Sequence, residues 1–328
     1  MKLKNQSGFI LVATIWILAV ITIAASYFAE RVSRSIALSL QKRETTELLV
    51  EFANTRAEIL FRLGTVPMSF HGLGGHGGIA LDDRPYIGWG EDIVSLQDNR
   101  GLLNANFVQP LILSNLLGQL EVPVDQRAPM IDTLLDYIDI DNYRRLNGAE
   151  APEYSALGLP PPANDFLASP YQLKNIIGWR EKPGLWENQG LMKFVTTGRT
   201  YGINPNTAPL EVLISLPGIS AGIASSIVKL RKEAPIHALR QVSGYVPGGF
   251  DEELLFYFPS DSIRITHQSK KIPWIEQYSL TLTPRSEVAP WRIDYHVNTA
   301  VTYPLQHADK FKKLPAQLPP PPGDKEAL

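Results

Sequence analysis

The alternation of apolar and polar positions divides the chain into segments of different kinds. Phe9 to Phe28 is a run of twenty residues without a charge. As a helix it spans roughly 30 Å, the thickness of a bilayer's hydrocarbon core. Between Glu30 and Leu63 there is no Gly or Pro, and Val32, Ile36, Leu40, Leu48, Phe52, Ile59 and Leu63 form a loose stripe at helical spacing. Gly64 and Pro67 end it. Residues 9–63 therefore predict one rod of on the order of 80 Å, half needing lipid and half needing a packing partner. A cleaved secretory signal has an apolar core of about 7–15 residues, shorter than this run.

Beyond the rod the pattern changes several times. Residues 64–90 are rich in Gly and aromatics and read as a loop. Within them Gly72, Gly74 and Gly77 match a dinucleotide fingerprint only in spacing, since no buried strand precedes them and no helix follows. His71 and His76 read as solvated loop residues. Residues 91–106 alternate around Asn99–Gly101 and predict a β-hairpin. Residues 107–258 read mostly helical, with apolar helical spacing at Leu111–Leu120 and Met130–Ile138. A short helix is predicted at 173–179, a strand at 194–203, and helices at 207–215 and from 220 to 232. The last two flank Leu216, Pro217, Gly218 and Ile219 as a helix–hairpin–helix. Residues 262–302 return to strand alternation, and residues 304–328 read as a Pro-rich tail, extended or disordered.

Composition narrows the function. The 328 residues hold 31 Lys plus Arg against 33 Asp plus Glu, and no Cys. Such a chain is no bulk polyanion binder, and it has no disulfide, thiolate metal site or Cys nucleophile. No nucleophile elbow, P-loop, metalloprotease helix or kinase signature is present, and the six His are scattered singly. No enzyme is expected. The hairpin offers one rival reading, a membrane-anchored DNA-binding module holding phosphate on backbone N–H groups with help from Lys229, Arg231 and Lys232. Ser220 stands where a second glycine would admit a phosphate, and Glu233, Asp251, Glu252 and Glu253 oppose it. A plain membrane anchor is the other alternative.

One segment carries metal-type chemistry. Asp136, Asp139, Asp141, Asn147, Gly148 and Glu150 cluster oxygen donors around a turn, the donor class a hard cation such as calcium takes. Asp139 and Asp141 cannot share a helix face at a spacing of two, so the chain leaves the helix here. The simpler reading is a solvated acidic turn capped by Arg144 and Arg145.

The start of the chain, with Lys2 and Lys4 in a short leader ending at Gly8, then Phe9 and an unbroken apolar helix, resembles type IV prepilins and the pseudopilins of type II secretion. The resemblance implies cleavage after Gly8 by prepilin peptidase and methylation of Phe9. The positive-inside rule then keeps the N-terminus cytoplasmic and the bulk of the chain periplasmic, anchored in the inner membrane. The family's usual Glu at the fifth mature position is Ala13 here, which resembles the large minor pseudopilins of the K family. The Asp98–Asn106 segment, the 136–150 segment and Asn204-x-Asn206-Thr207-Ala208 followed by Leu216-Pro217-Gly218 resemble the same family.

That resemblance implies an α+β fold, a pilin-like long helix on an antiparallel sheet with a large all-α insert of SAM-like and helix–hairpin–helix elements. The expected division is a leader at 1–8, the helix at 9–63, loop and hairpin at 64–106, the insert at 107–258, closing strands at 259–303 and the tail at 304–328. It further implies calcium held by Asp136, Asp139, Asp141 and Glu150, although Ala151 stands where the family usually has another acid. Implied partners are other minor pseudopilins, the major pseudopilin and prepilin peptidase, with the secreted substrate or outer-membrane secretin as further contacts. The implied role is to start and cap a fibre that exports folded proteins.

Overall fold

The computed structural model describes residues 7–90, 92–107, 109–238, 240–243, 252–300 and 310–319. The chain divides into two units, residues 1–53 and 54–328. The first is helix. α1 (Ser7–Thr65) begins in it and ends in the second unit. Among the described residues it is the one helix long and apolar enough to cross a membrane. Its large apolar side chains from Ile10 to Phe28 are exposed, as they must be if lipid is to cover them. Beyond them Glu30 pairs with Arg34, and Arg43 with Glu47 at 2.8 Å, one helical turn apart.

The second unit is built on two hydrophobic cores. The first lies under a six-stranded sheet in the order β10-β3-β4-β7-β8-β9. These strands are β3 (Asp82–Ile87), β4 (Ile93–Asp98), β7 (Ser262–Gln268), β8 (Trp274–Leu282), β9 (Trp291–Ala300) and β10 (Lys312–Lys313). All neighbours are antiparallel except β10 and β3. Ile59 and Leu63 from the last turns of α1 are buried with Leu73, Val94, Leu96, Ile263, Ile265, Tyr278 and Leu280. The lower part of the predicted stripe thus packs on a sheet. A small antiparallel pair, β1 (Met68–Ser69) with β2 (Gly72–Leu73), forms inside the glycine-rich segment. Gly72 sits at φ +116° there, and a Cβ would lie 2.3 Å from the Ile79 carbonyl oxygen.

The second core fills the insert. Its helices are α2 (Pro110–Gln119), α3 (Val124–Ile138), α4 (Ala151–Ala156), α5 (Pro183–Trp186), α6 (Leu210–Ser215), α7 (Ala221–Leu230) and α8 (Arg240–Ser243). Pro110 opens α2, where a missing N–H costs nothing. α3 starts six residues before the first apolar position of its predicted span and contains Pro129 in its second turn. Trp179 and Tyr154 are fully buried, and the Trp179 indole N–H donates to the Met130 carbonyl at 2.8 Å. Each large apolar side chain buried here contributes about 1.5–3 kcal/mol. The predicted helix at 173–179 is a 3-10 turn at Pro170–Asn175, and the predicted strand at 194–203 shortens to β6 (Val195–Thr196).

The structure departs from the sequence pattern at two joints. The hairpin expected within 91–106 does not form; β4 pairs instead with β3, from the segment read as a loop, Tyr86 opposite Val94. After Asp98 the chain makes a 3-10 turn at Asn99–Gly101, and β5 (Leu103–Asn104) then runs parallel to β6 instead of folding back. The cause is Asp98. Its fully buried carboxylate accepts from the N–H groups of Arg100 and Ser260, the hydroxyls of Ser260 and Thr207, and the Asn204 amide, at 2.6 to 3.0 Å. A buried carboxylate satisfied this fully holds the sheet and the insert in one register.

The second departure is the tail. Lys312 and Lys313 pair with Tyr86 and Ile87, Leu314 is buried, and the Arg62 guanidinium donates to the carbonyls of Pro315 (2.6 Å) and Ala316 (2.9 Å). Residues 310–319 are therefore part of the fold and not a free tail. Proline leaves carbonyl acceptors intact, and Arg62 uses them.

Candidate functional site

The acidic segment forms a defined loop. α3 ends at Ile138, and Asp139 turns extended as its cap. Asp136, in the last turn, is fully buried, and its carboxylate takes the Arg145 N–H at 3.1 Å and the Arg145 Nη1 at 2.6 Å. The same Nη1 reaches Asp139 Oδ2 at 2.5 Å. Asp132 draws the loop back by accepting from the Asn147 N–H and side-chain amide at 3.1 and 3.0 Å. Gly148 lies so close that a Cβ there would be 1.8 Å from Asp136 Oδ2. No larger residue fits without displacing that carboxylate. Ile140, Tyr143 and Leu146 project from the loop almost fully exposed.

Glu150 opens α4 and is buried, its N–H donating to Glu153 Oε2 at 2.9 Å while Glu153 pairs with Arg144 at 2.8 Å. Neither Glu150 carboxylate oxygen has a hydrogen-bond partner among the described residues, nor has Asp139 Oδ1. Burial, and then the charges of Asp136, Asp139, Asp141 and Glu153, push the Glu150 pKa up. One carboxylate oxygen each from Asp139, Asp141 and Glu150 lies within 4.8 Å of the others. Of the four predicted ligands, these three converge, and Asp136 is engaged by Arg145. Three converging carboxylates, two of them (Asp139 and Glu150) with buried oxygens that lack a partner, fit a hard divalent cation, which would answer the unpaired acceptors. Glu153, the next acid after Ala151, is engaged by Arg144 and by the Glu150 N–H.

The hairpin lies elsewhere in the insert. Leu216 and Ile219 are buried, Gly218 takes φ +77°, and the Asn115 amide of α2 donates to the Ser215 carbonyl at 2.9 Å. The Ser220 hydroxyl accepts the Ile223 N–H at 3.3 Å and so occupies the helix start. Arg231 turns inward, its Nη1 donating to the carbonyls of Pro205 (2.9 Å) and Ala208 (2.6 Å). Of the three cations the DNA reading relied on, one is thus spent on the protein's own backbone. At the other end of the chain, Gly8 and Phe9 lie in the first turn of α1 and Ala13 in its apolar stretch. Lys2 and Lys4 lie outside the described residues.

The architecture is that of a pilin-like α+β protein, a long N-terminal helix and an antiparallel-dominated sheet enlarged by a predominantly helical insert. Within that class, residues 92–185 match the family model described as type II secretion system (T2SS), protein K. The fold is similar to a chain in the crystal structure of the GspK-GspI-GspJ complex from the enterotoxigenic Escherichia coli Type 2 Secretion System. The TM-score is 0.53 at 17% identity, covering 79% of this chain and 98% of that chain. No curated protein matches the chain. The resemblance to the K family of minor pseudopilins read from the sequence holds for the matched domain and for the fold.

Proposed function

We propose that this protein is a minor pseudopilin of type II secretion that sits at the tip of the pseudopilus, starting its assembly and capping it. The observation that carries the reading is the exposed apolar stretch from Ile10 to Phe28, which has Ala13 in place of a carboxylate, in a chain with a protein K domain. A carboxylate in hydrocarbon is costly unless paired. A subunit with nothing above it needs no such charge for registering against a neighbour, and Ala13 avoids the cost. The helix stays in the inner membrane with its N-terminus cytoplasmic, is freed of its leader after Gly8 and methylated on Phe9, and then packs beside sister helices through apolar contact. The solved relative is in a complex with GspI and GspJ, so minor pseudopilins of those two kinds are the proposed partners. Calcium is the proposed ion at Asp139, Asp141 and Glu150, where it would neutralise Asp141, Glu150 and the Asp139 oxygen that Arg145 does not engage. The role is structural and needs no catalytic group.

Two measurements test it. The intact mass of the membrane form is expected to show a chain beginning at methylated Phe9 in cells with prepilin peptidase, and at Met1 without it. Immunogold labelling of overproduced fibres is expected to mark one end only. Label spread along the fibre would remove the capping role.

A further inference from the structure

A recess of about 520 Å³ opens between the glycine-rich loop, β3, the end of α7 and β10. Its lining includes Arg84, Arg231, Lys232, Lys310, Lys312 and Lys313, with Asp82 as the one carboxylate among the described residues. In a chain of net charge −2 this concentration of cations is not a consequence of composition. Asp82 is already engaged, holding Arg84 by two bonds of 2.6 Å with Arg231 4.0 Å away. Among the described residues the four lysines make no salt bridge.

Arg231 is the informative member. Its side chain is 8% exposed, and its Nε has no hydrogen-bond partner among the described residues. Burial and the nearby Arg84 lower its pKa, with Asp82 opposing. A buried, unpaired donor beside a second guanidinium costs stability unless an acceptor reaches it. An incoming carboxylate would supply that acceptor and the missing negative charge together.

We infer that this recess binds an acidic stretch of polypeptide. The volume lies in the range of ligand-sized pockets and far exceeds a single oxyanion. The cations are spread over β3, the end of α7 and residues 310–313 instead of converging on one point, which suits several carboxylates carried on one chain. β10 is the outermost strand of its sheet, so the binding face lies at an open margin of the fold. This inference does not depend on the position of the protein in a fibre.

Fluorescence anisotropy of a labelled hexa-aspartate peptide, with the full chain in detergent micelles, tests it. Saturable binding that weakens as salt rises is expected. Lys232→Ser and the pair Lys312→Ser with Lys313→Ser should each weaken it by roughly fivefold or more, as loss of a charge-assisted contact does. Lys193→Ser, an exposed lysine outside the recess, should leave it unchanged. All four lysines carry their charge at the surface, so equal melting temperatures are expected and separate lost binding from lost fold. Equal affinity across the variants, absence of saturable binding, competition by inorganic phosphate at the peptide's own concentration, or preference for an oligonucleotide would each overturn the inference.

Discussion

The acidic loop and the basic recess differ in how their charge is assembled and in how it is answered. The loop takes its carboxylates from one continuous segment, 136–150, and the same segment supplies Arg145 to Asp136 and Asp139. The recess collects its cations from β3, the end of α7 and residues 310–313, and among the described residues Asp82 alone opposes them. Charge made locally can be balanced by the next residues of the same loop. Charge brought together by tertiary folding has no such neighbour among the described residues, and under the inference above an acidic polypeptide answers it.

The sharpest way to break this contrast is to remove the internal counter-charge. Arg145→Ala strands the fully buried Asp136. Because Arg145 is itself partly exposed, the expected loss is about 2–3 kcal/mol, read from a urea unfolding midpoint. Millimolar calcium should recover part of that loss if a divalent ion can stand in for the guanidinium. A neutral outcome would mean the loop does not depend on internal compensation. Next in size is Gly148→Ala, which pushes Asp136 aside and should cost about 2 kcal/mol as an overpacked site does.

A smaller effect follows from pH. The Glu150 pKa is raised in the folded state, so its protonated form is favoured there. Its contribution to stability is full below the unfolded value of about 4.3 and fades as pH rises through the folded value. Mild acid should therefore tighten the empty loop while weakening its affinity for calcium, which titration calorimetry at several pH values measures. The smallest change is expected in the recess. Lys312→Ser and Lys313→Ser should alter stability by no more than about 0.5 kcal/mol, since no buried partner is lost. A large loss there would show that those lysines serve the fold and not a ligand.

What was legible in the sequence follows the same division. The apolar rod, the acidic turn and the Leu216–Ile219 hairpin are contiguous, and periodicity or spacing exposes each of them. Asp98, Asn204 and Thr207 stood out as motif residues, but that one carboxylate joins them to Ser260 depends on contacts across more than a hundred positions. The recess had no signal at all. The sequence offers Arg231 and Lys232 only as charge beside the hairpin, and it places Lys312 and Lys313 in a tail read as extended or disordered. Their convergence arises only because β10 docks on β3, and two residues of strand carry no period to detect.

That docking also sets an order of events. β10 lies later in the sequence than every other strand of its sheet. Until synthesis has delivered residue 313, the outer margin of β3 keeps its backbone donors and acceptors open to any passing strand. The nascent protein is thus most vulnerable to mispairing just before its last described residues emerge, and the clasp of Arg62 on Pro315 and Ala316 is what ends that exposure.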